Sequence, residues 1–192
     1  MAADPRRVSG ALDLVLCAVS EELATAWEEA ARGRPTIRVH RGSVLDVPAH
    51  AVVSPANSFG FMRGGIDAVY SRTFPSVEAG VRSAVLAYHG GELPVGEALI
   101  VPSEVIAPAW LSVGPSMREP SETLAPDTVH PFLAARAVFR LWREGVLDNG
   151  MPVSAVVRTI AMPGLGTGVG QVQPAVCARQ LAAAWDEVFT QE

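Results

Sequence analysis

Asn57 and Asp67 stand ten residues apart, with Gly60, Gly64 and Gly65 between them. An asparagine on such a loop can hold a ligand hydroxyl through both its donor and its acceptor. An aspartate just beyond paired glycines, where a helix begins, can accept a hydroxyl proton or orient a water. Each also has a plain structural reading, because Asn is common in turns and Asp in first helical turns. A second segment alternates Gly164, Gly166, Gly168 and Gly170 with Leu165, Thr167 and Val169. Glycine at every second place allows positive φ and close approach of backbone to a ligand. Both segments follow an apolar β-like run and lead into a helix-like run. That is the layout in which backbone N–H groups and a helix N-terminus cradle a phosphate, and two such loops suit a diphosphate.

Other candidates have competing readings. Phe59 and Phe61 flank Gly60 and either join the core or cover a sugar or base. Ser54 and Ser58 are able to bond backbone within the turn. His130 sits near a helix start, Cys177 lies mid-helix among apolar residues, and Trp27, Trp142 and Trp185 are expected to pack. Neither glycine loop is a P-loop, since no Gly-Lys-Ser/Thr follows, and neither is a Rossmann fingerprint in register. The absence of a catalytic lysine argues against a kinase or NTPase.

The elements that must position these residues can be read from the apolar periodicity. Strands are expected at Leu12–Val19, Thr36–His40, Ala49–Val53, Glu97–Val101, Trp110–Val113 and Val153–Met162. Helices are expected at Glu21–Arg32, at Ile66–Tyr88 with a break near Phe74-Pro75, at Pro131–Val146 and at Pro174–Phe189. The proline-rich segment Ser103–Thr128 reads as a long surface loop at the site rim. Strands and helices alternate, so the fold class is α/β with a mixed or parallel central sheet. In such sheets ligands bind at the carboxyl ends of the strands, where both glycine loops emerge.

The chain of 192 residues is 49% hydrophobic and 18% charged, which suits one globular domain over residues 1–192. Residues 1–35 are expected to add a strand and helix to that domain, with Leu12–Arg32 supplying an edge strand and covering one sheet face. The net charge of −5 and the lack of a basic block argue against a strong electrostatic grip on nucleic acid, while a local patch stays open. Cys17 and Cys177, with four scattered histidines, give neither a disulfide framework nor a metal site. No apolar run approaches the roughly 20 residues of a membrane span. Arg6-Arg7 ahead of Ala11–Val19 is a weak signal-peptide pattern broken by Asp13, so a cytoplasmic protein is expected.

The ordered segments resemble the macrodomain family, which binds ADP-ribose. Ser54-Pro55-Ala56-Asn57 through Gly64-Gly65-Ile66-Asp67 is similar to the family's first loop, Asn-Ala-Ala-Asn followed by a glycine cluster and Gly-Val-Asp. Gly166-Thr167-Gly168-Val169-Gly170 resembles its second loop. Pro94-Val95-Gly96-Glu97-Ala98 and Ser112-Val113-Gly114-Pro115 resemble the strands between them, and Arg41-Gly42-Ser43 stands where the family's Gly-Asp begins. The resemblance covers roughly Ile37 to Phe189.

The resemblance implies a three-layer α/β/α fold around a mixed sheet, with ADP-ribose in a cleft and no metal or cofactor required. It further implies a hydrolase that removes mono-ADP-ribose from modified Asp or Glu side chains of proteins. In that reading Asn57 and Asp67 are catalytic, Asn57 holding the distal ribose and Asp67 placing a water near the anomeric carbon. The amides around Gly64, Gly65 and Ile66 meet one phosphate and those of Thr167, Gly168, Val169 and Gly170 the other, with Gly166 also in the binding set. Ser43, Ser54, Ala56 and Phe59 complete the binding set. The alternatives are a non-catalytic ADP-ribose reader, or a hydrolase of O-acetyl-ADP-ribose or of ADP-ribosylated nucleic acid. The chain departs from the family at Ser43, where the adenine-binding Asp stands, at Ser54, in place of the first Asn, and at Ser71, in place of a frequent His. The aromatic of loop two is missing, with Phe59 or Phe61 as candidates to replace it.

Overall fold

The computed structural model describes residues 10–190; Arg6-Arg7 and the last two residues lie outside that range. In chain order the elements are β1 (Asp13–Ala18), α1 (Glu21–Ala31), β2 (Ile37–Arg41), β3 (Ala51–Ser54), α2 (Gly65–Thr73), α3 (Val77–His89), β4 (Leu99–Pro102), β5 (Trp110–Val113), α4 (His130–Glu144), α5 (Val153–Val156), β6 (Thr159–Met162) and α6 (Pro174–Phe189). The six strands form one sheet in the order β2-β1-β6-β3-β5-β4. All neighbours are parallel except β4 and β5.

The period of two along each strand splits the core into two layers. Leu14, Leu16, Val53, Ile160 and Met162 point to one face, where they pack with Leu23 and Trp27 of α1, Phe139 of α4 and Leu181 and Trp185 of α6. Val15, Cys17, Val52, Leu111, Val113 and Ala161 point to the other, against Tyr70 of α2 and Val77, Val81 and Val85 of α3. The result is the expected α/β/α sandwich around a mixed sheet. The buried indoles keep their N–H groups satisfied: Trp27 donates to the Cys17 carbonyl at 3.2 Å and Trp142 to that of Val157 at 2.6 Å.

Two expectations require correction. The N-terminal strand is not an edge: β1 lies between β2 and β6, buried on both faces, and β2 forms the edge. That edge carries Arg38 and Arg41, charges that disfavour pairing with another sheet. The helix α1 does cover one face, as expected. The run Val153–Met162 is not one strand. Val153–Val156 forms a single helical turn, and only Thr159–Met162 joins the sheet. Pro152, with φ of −58°, suits a helix start and has no N–H to offer a ladder. Burial of Val153 and Val157 against α4 overrides the strand preference of β-branched residues.

The site-bearing ends are set by local chemistry. Ser20 caps α1, its Oγ accepting from Leu23 N, with Glu21 and Glu22 in the first turn. Ser43 opens a 3₁₀ turn, Val44–Asp46, as a capping box: its Oγ accepts from Leu45 N and its own N–H donates to Asp46. Phe74-Pro75 separates α2 from α3, and Gly90 closes α3 with φ of +63°. Among the described residues, no helix is long and apolar enough to cross a membrane.

Candidate functional site

A cavity of about 710 Å³ lies at the carboxyl ends of β1, β3 and β6. This is where an open α/β sheet binds its ligands. Loop one contributes Ala56, Asn57, Gly64, Gly65, Ile66 and Asp67 to its wall, and loop two Gly166, Thr167, Gly168 and Val169. Ser43 stands at a further wall beside Gly42 and Val44. Eleven of the fourteen residues singled out from the sequence therefore meet around one space.

Gly64 is the N-cap of α2, so the N–H groups of Gly65, Ile66 and Asp67 in its first turn have no intrahelical acceptor. In loop two, the N–H groups of Thr167, Gly168 and Val169 make no internal backbone bond among the described residues. Val169 reaches toward the other loop: a methyl built on Gly64 would lie 3.5 Å from Val169 Cγ2. Two sets of unpaired donors thus face a shared gap, the electrostatic environment an oxyanion prefers.

Asp67 is buried, with 6% exposure, yet lines the cavity. Its Oδ1 accepts from Ser54 Oγ at 2.6 Å. Burial pushes its carboxyl up to about 7, against the opposing pull of the Ser54 hydroxyl. The register of β3 explains the pair. Val52 and Ser54 share the face that packs on α2, so the strand end and the first helical turn meet there. Ser54 itself does not line the cavity; it holds Asp67. This differs from the expected ligand-contacting place for Ser54.

Three further expectations are revised. Asn57 does line the cavity, but its amide is largely engaged by its own loop. Oδ1 accepts from the N–H groups of Phe59 and Phe61 at 3.1 and 3.3 Å, and Nδ2 donates to the Phe61 carbonyl at 2.7 Å. One N–H of Nδ2 remains for a ligand. Phe59 does not line the cavity; its ring lies under the Arg118 guanidinium, 5.4 Å from the centroid. Phe61 lines it instead. Gly170 closes the turn of loop two from outside the cavity. Its carbonyl accepts from Leu124 N, and a methyl there would lie 2.7 Å from the Gly166 oxygen.

Sequence reasoning missed the wall built by Cys17, Val19, Leu23, Gly42 and Val44. Burial pushes the Cys17 thiol up to about 12, so it stays neutral. Ser116, Met117, Pro120 and Ser121 also line the cavity, and they fall in the segment read as a rim loop. The only signal for the β1 wall was its apolar strand ending at a helix cap.

Comparison with known proteins finds a matching family and fold. A family model described as Macro domain matches residues 53–181. An uncharacterised protein of Aeropyrum pernix is 33% identical over 154 residues, covering 79% of this chain and 71% of its own. Among solved structures, the macrodomain of Mycobacterium tuberculosis DarG superposes with a TM-score of 0.62 at 19% identity, covering 77% of this chain and 88% of that one. Thermosipho africanus DarTG in complex with ADP-ribose gives a TM-score of 0.60 at 14% identity, covering 90% of this chain and 50% of that one.

Proposed function

The chain belongs to the macrodomain family, and from that premise we propose that it binds ADP-ribose and hydrolyses the ester joining mono-ADP-ribose to Asp or Glu of a modified protein. The observation that carries this reading is Asp67. Among the described residues that line the cavity it is the only carboxyl, and its protonation changes near neutral pH. The donors of α2 and of loop two receive the two phosphates, which fits the ADP-ribose held by a structural neighbour. Strand β1, helix α1 and the rest of the fold act as one domain, since β1 pairs inside the sheet.

Asp67 in its ionised form takes a proton from a water placed over the anomeric carbon. The water oxygen bonds to that carbon, and the bond from the carbon to the protein carboxylate breaks. The products are ADP-ribose and a free Asp or Glu, with the proton on Asp67. A carboxylate is a good leaving group and needs no general acid. A site with one near-neutral carboxyl, in a chain that contains no lysine, suits an ester better than an amine linkage. The remaining N–H of Asn57 holds a hydroxyl of the distal ribose, and the ring of Phe61 flanks it. The partner is accordingly a mono-ADP-ribosylated protein. The engaged amide of Asn57 favours a second reading, a reader that binds ADP-ribose without turnover.

The pH dependence of ADP-ribose release tests the role of Asp67. The rate is expected to rise with pH through about 7, as the carboxyl ionises. The Ser54 hydroxyl favours the ionised form, so Ser54→Ala is expected to move this limb upward by on the order of one pH unit. Ser54→Thr, which keeps the hydroxyl, should leave it near the wild-type position. A limb that ignores Ser54→Ala would remove Asp67 as the titrating base.

A further inference from the structure

The mouth of the cavity beside Asp67 carries two arginines, gathered on Phe61, that the proposed chemistry does not use. Gly60, with φ of +72°, lets loop one lie directly on α3: a methyl there would be 2.9 Å from Val81 Cγ1 and 3.3 Å from Arg82 Cγ. The close approach brings Phe61 onto Arg82, whose guanidinium carbon lies 4.5 Å from the ring centroid. Arg63 approaches the same ring at 5.5 Å. Phe61 and Arg63 both line the cavity, and the Arg63 side chain is 78% exposed, so the cluster sits where the cavity meets solvent.

These two cations differ from the closely paired arginines among the described residues. Arg38, Arg41, Arg118 and Arg136 are each held by a carboxylate at 2.6, 2.7, 2.7 and 3.3 Å. Arg63 has only Glu78 at 3.8 Å, and Arg82 forms no ion pair among the described residues. Stacking on an aromatic ring orients a guanidinium and leaves its N–H fork free. With arginines over the ring, the platform offers charged donors to an incoming group.

We propose that Phe61, Arg63 and Arg82 form a recognition platform that binds an acidic peptide segment flanking the ADP-ribosylated residue. Charge complementarity selects the occupant: carboxylates near the modified side chain meet the Arg82 fork, which has no ion pair among the described residues, and the Arg63 fork, whose carboxylate partner Glu78 lies 3.8 Å away. The inference rests on the reading of the cavity as an ADP-ribose site and adds which modified proteins it favours.

The test uses binding rather than turnover, so that it stands apart from the hydrolase reading. The full chain carrying Asp67→Asn is titrated with two synthetic peptides, each bearing mono-ADP-ribose on one central Glu. One is flanked by Glu residues and the other by Gln residues. The acidic peptide is expected to bind roughly threefold to tenfold tighter at low salt, with the difference shrinking at high salt. Arg63→Gln combined with Arg82→Gln should bring the two peptides within about twofold, and Arg63→Glu should reverse the preference. Equal affinity for the two peptides, or a preference that survives the glutamine variants, would overturn the platform. So would tighter, arginine-dependent binding of an ADP-ribosylated oligonucleotide, which would assign the forks to phosphodiesters. Binding of neither peptide, with the wild-type chain also failing to bind ADP-ribose, would overturn both the platform and the ADP-ribose site. Failure of the hydrolase reading shows separately, as absent release by the wild-type chain.

Discussion

Asp67→Asn is expected to lower the rate of ADP-ribose release by on the order of a thousandfold, the scale on which a positioned general base contributes, and to leave the affinity for ADP-ribose within a few-fold of wild type. The substitution keeps the shape of the buried side chain and its contact with Ser54, and removes only the capacity to take a proton. It also carries an opposite effect on stability. Burial raises the folded-state carboxyl from 3.8 to about 7, so folding favours the protonated form. The stabilisation from that proton is complete below the unfolded value near 3.8 and is lost as pH rises through about 7. Above that pH the ionised, buried Asp67 strains the fold by on the order of a few kcal/mol. Thermal unfolding at pH 8 should therefore show Asp67→Asn more stable than wild type, with the gap closing toward acid. Less activity together with more stability at pH 8 is the signature of a group retained for chemistry. Loss of binding and activity in equal measure would leave Asp67 a binding residue.

Gly166→Val is expected to abolish ADP-ribose binding at concentrations that saturate the wild-type chain, a loss of at least about a hundredfold by the affinity arithmetic. Gly166 has φ of +72°, a region in which a β-branched residue is a true outlier. Its new Cβ would also lie 3.2 Å from both Leu124 Cδ1 and Val172 Cγ2, which wall the turn. The cost of forcing both, roughly 1–3 kcal/mol for the backbone alone, exceeds what this buried turn can absorb without moving. Moving it redirects the N–H groups of Thr167, Gly168 and Val169 away from the gap. Gly168→Ala is the contrast: a methyl there meets nothing within 4 Å, so the path of the loop survives and the loss is smaller. Titration calorimetry of the two variants beside the circular dichroism melt of each separates a misdirected loop from an unfolded domain. A Gly166→Val protein that binds ADP-ribose normally would remove loop two from the phosphate site.

Much of the site was legible because it is written in glycine. Paired glycines ahead of Asp67 mark the start of α2, and alternating glycines mark loop two. Both loops leave parallel strands at the same end, so their residues had to converge. The strand order was not legible. The N-terminal strand looked like an addition, yet pairing of β1 with both β2 and β6 depends on crossovers that no local pattern encodes. The β-branched run at Val153 hid a helical turn because packing on α4, a non-local term, outweighs propensity.

Side-chain roles were the least legible part. Ser54 and Asp67 are thirteen residues apart and meet only because β3 packs on α2, so the hydroxyl was read as a ligand contact rather than as a partner for the carboxyl. The local alternative for Asn57, a turn held by its own amide, was visible in the sequence and accounts for most of its hydrogen bonds. Phe59 and Phe61 lie on a loop without periodicity, where nothing but the fold decides which ring faces the cavity. Arg82 of α3 reaches the Phe61 ring because Gly60 has no side chain, a contact that only the packed structure reveals.

The most direct measurement is release of ADP-ribose from a protein mono-ADP-ribosylated on glutamate, incubated with the wild-type chain and with Asp67→Asn in parallel. Release by wild type, rising with pH through about 7 and reduced on the order of a thousandfold in the variant, is the expected result. No release by the wild-type chain at any pH, although it binds ADP-ribose, would contradict the hydrolase and leave a protein that reads the modification.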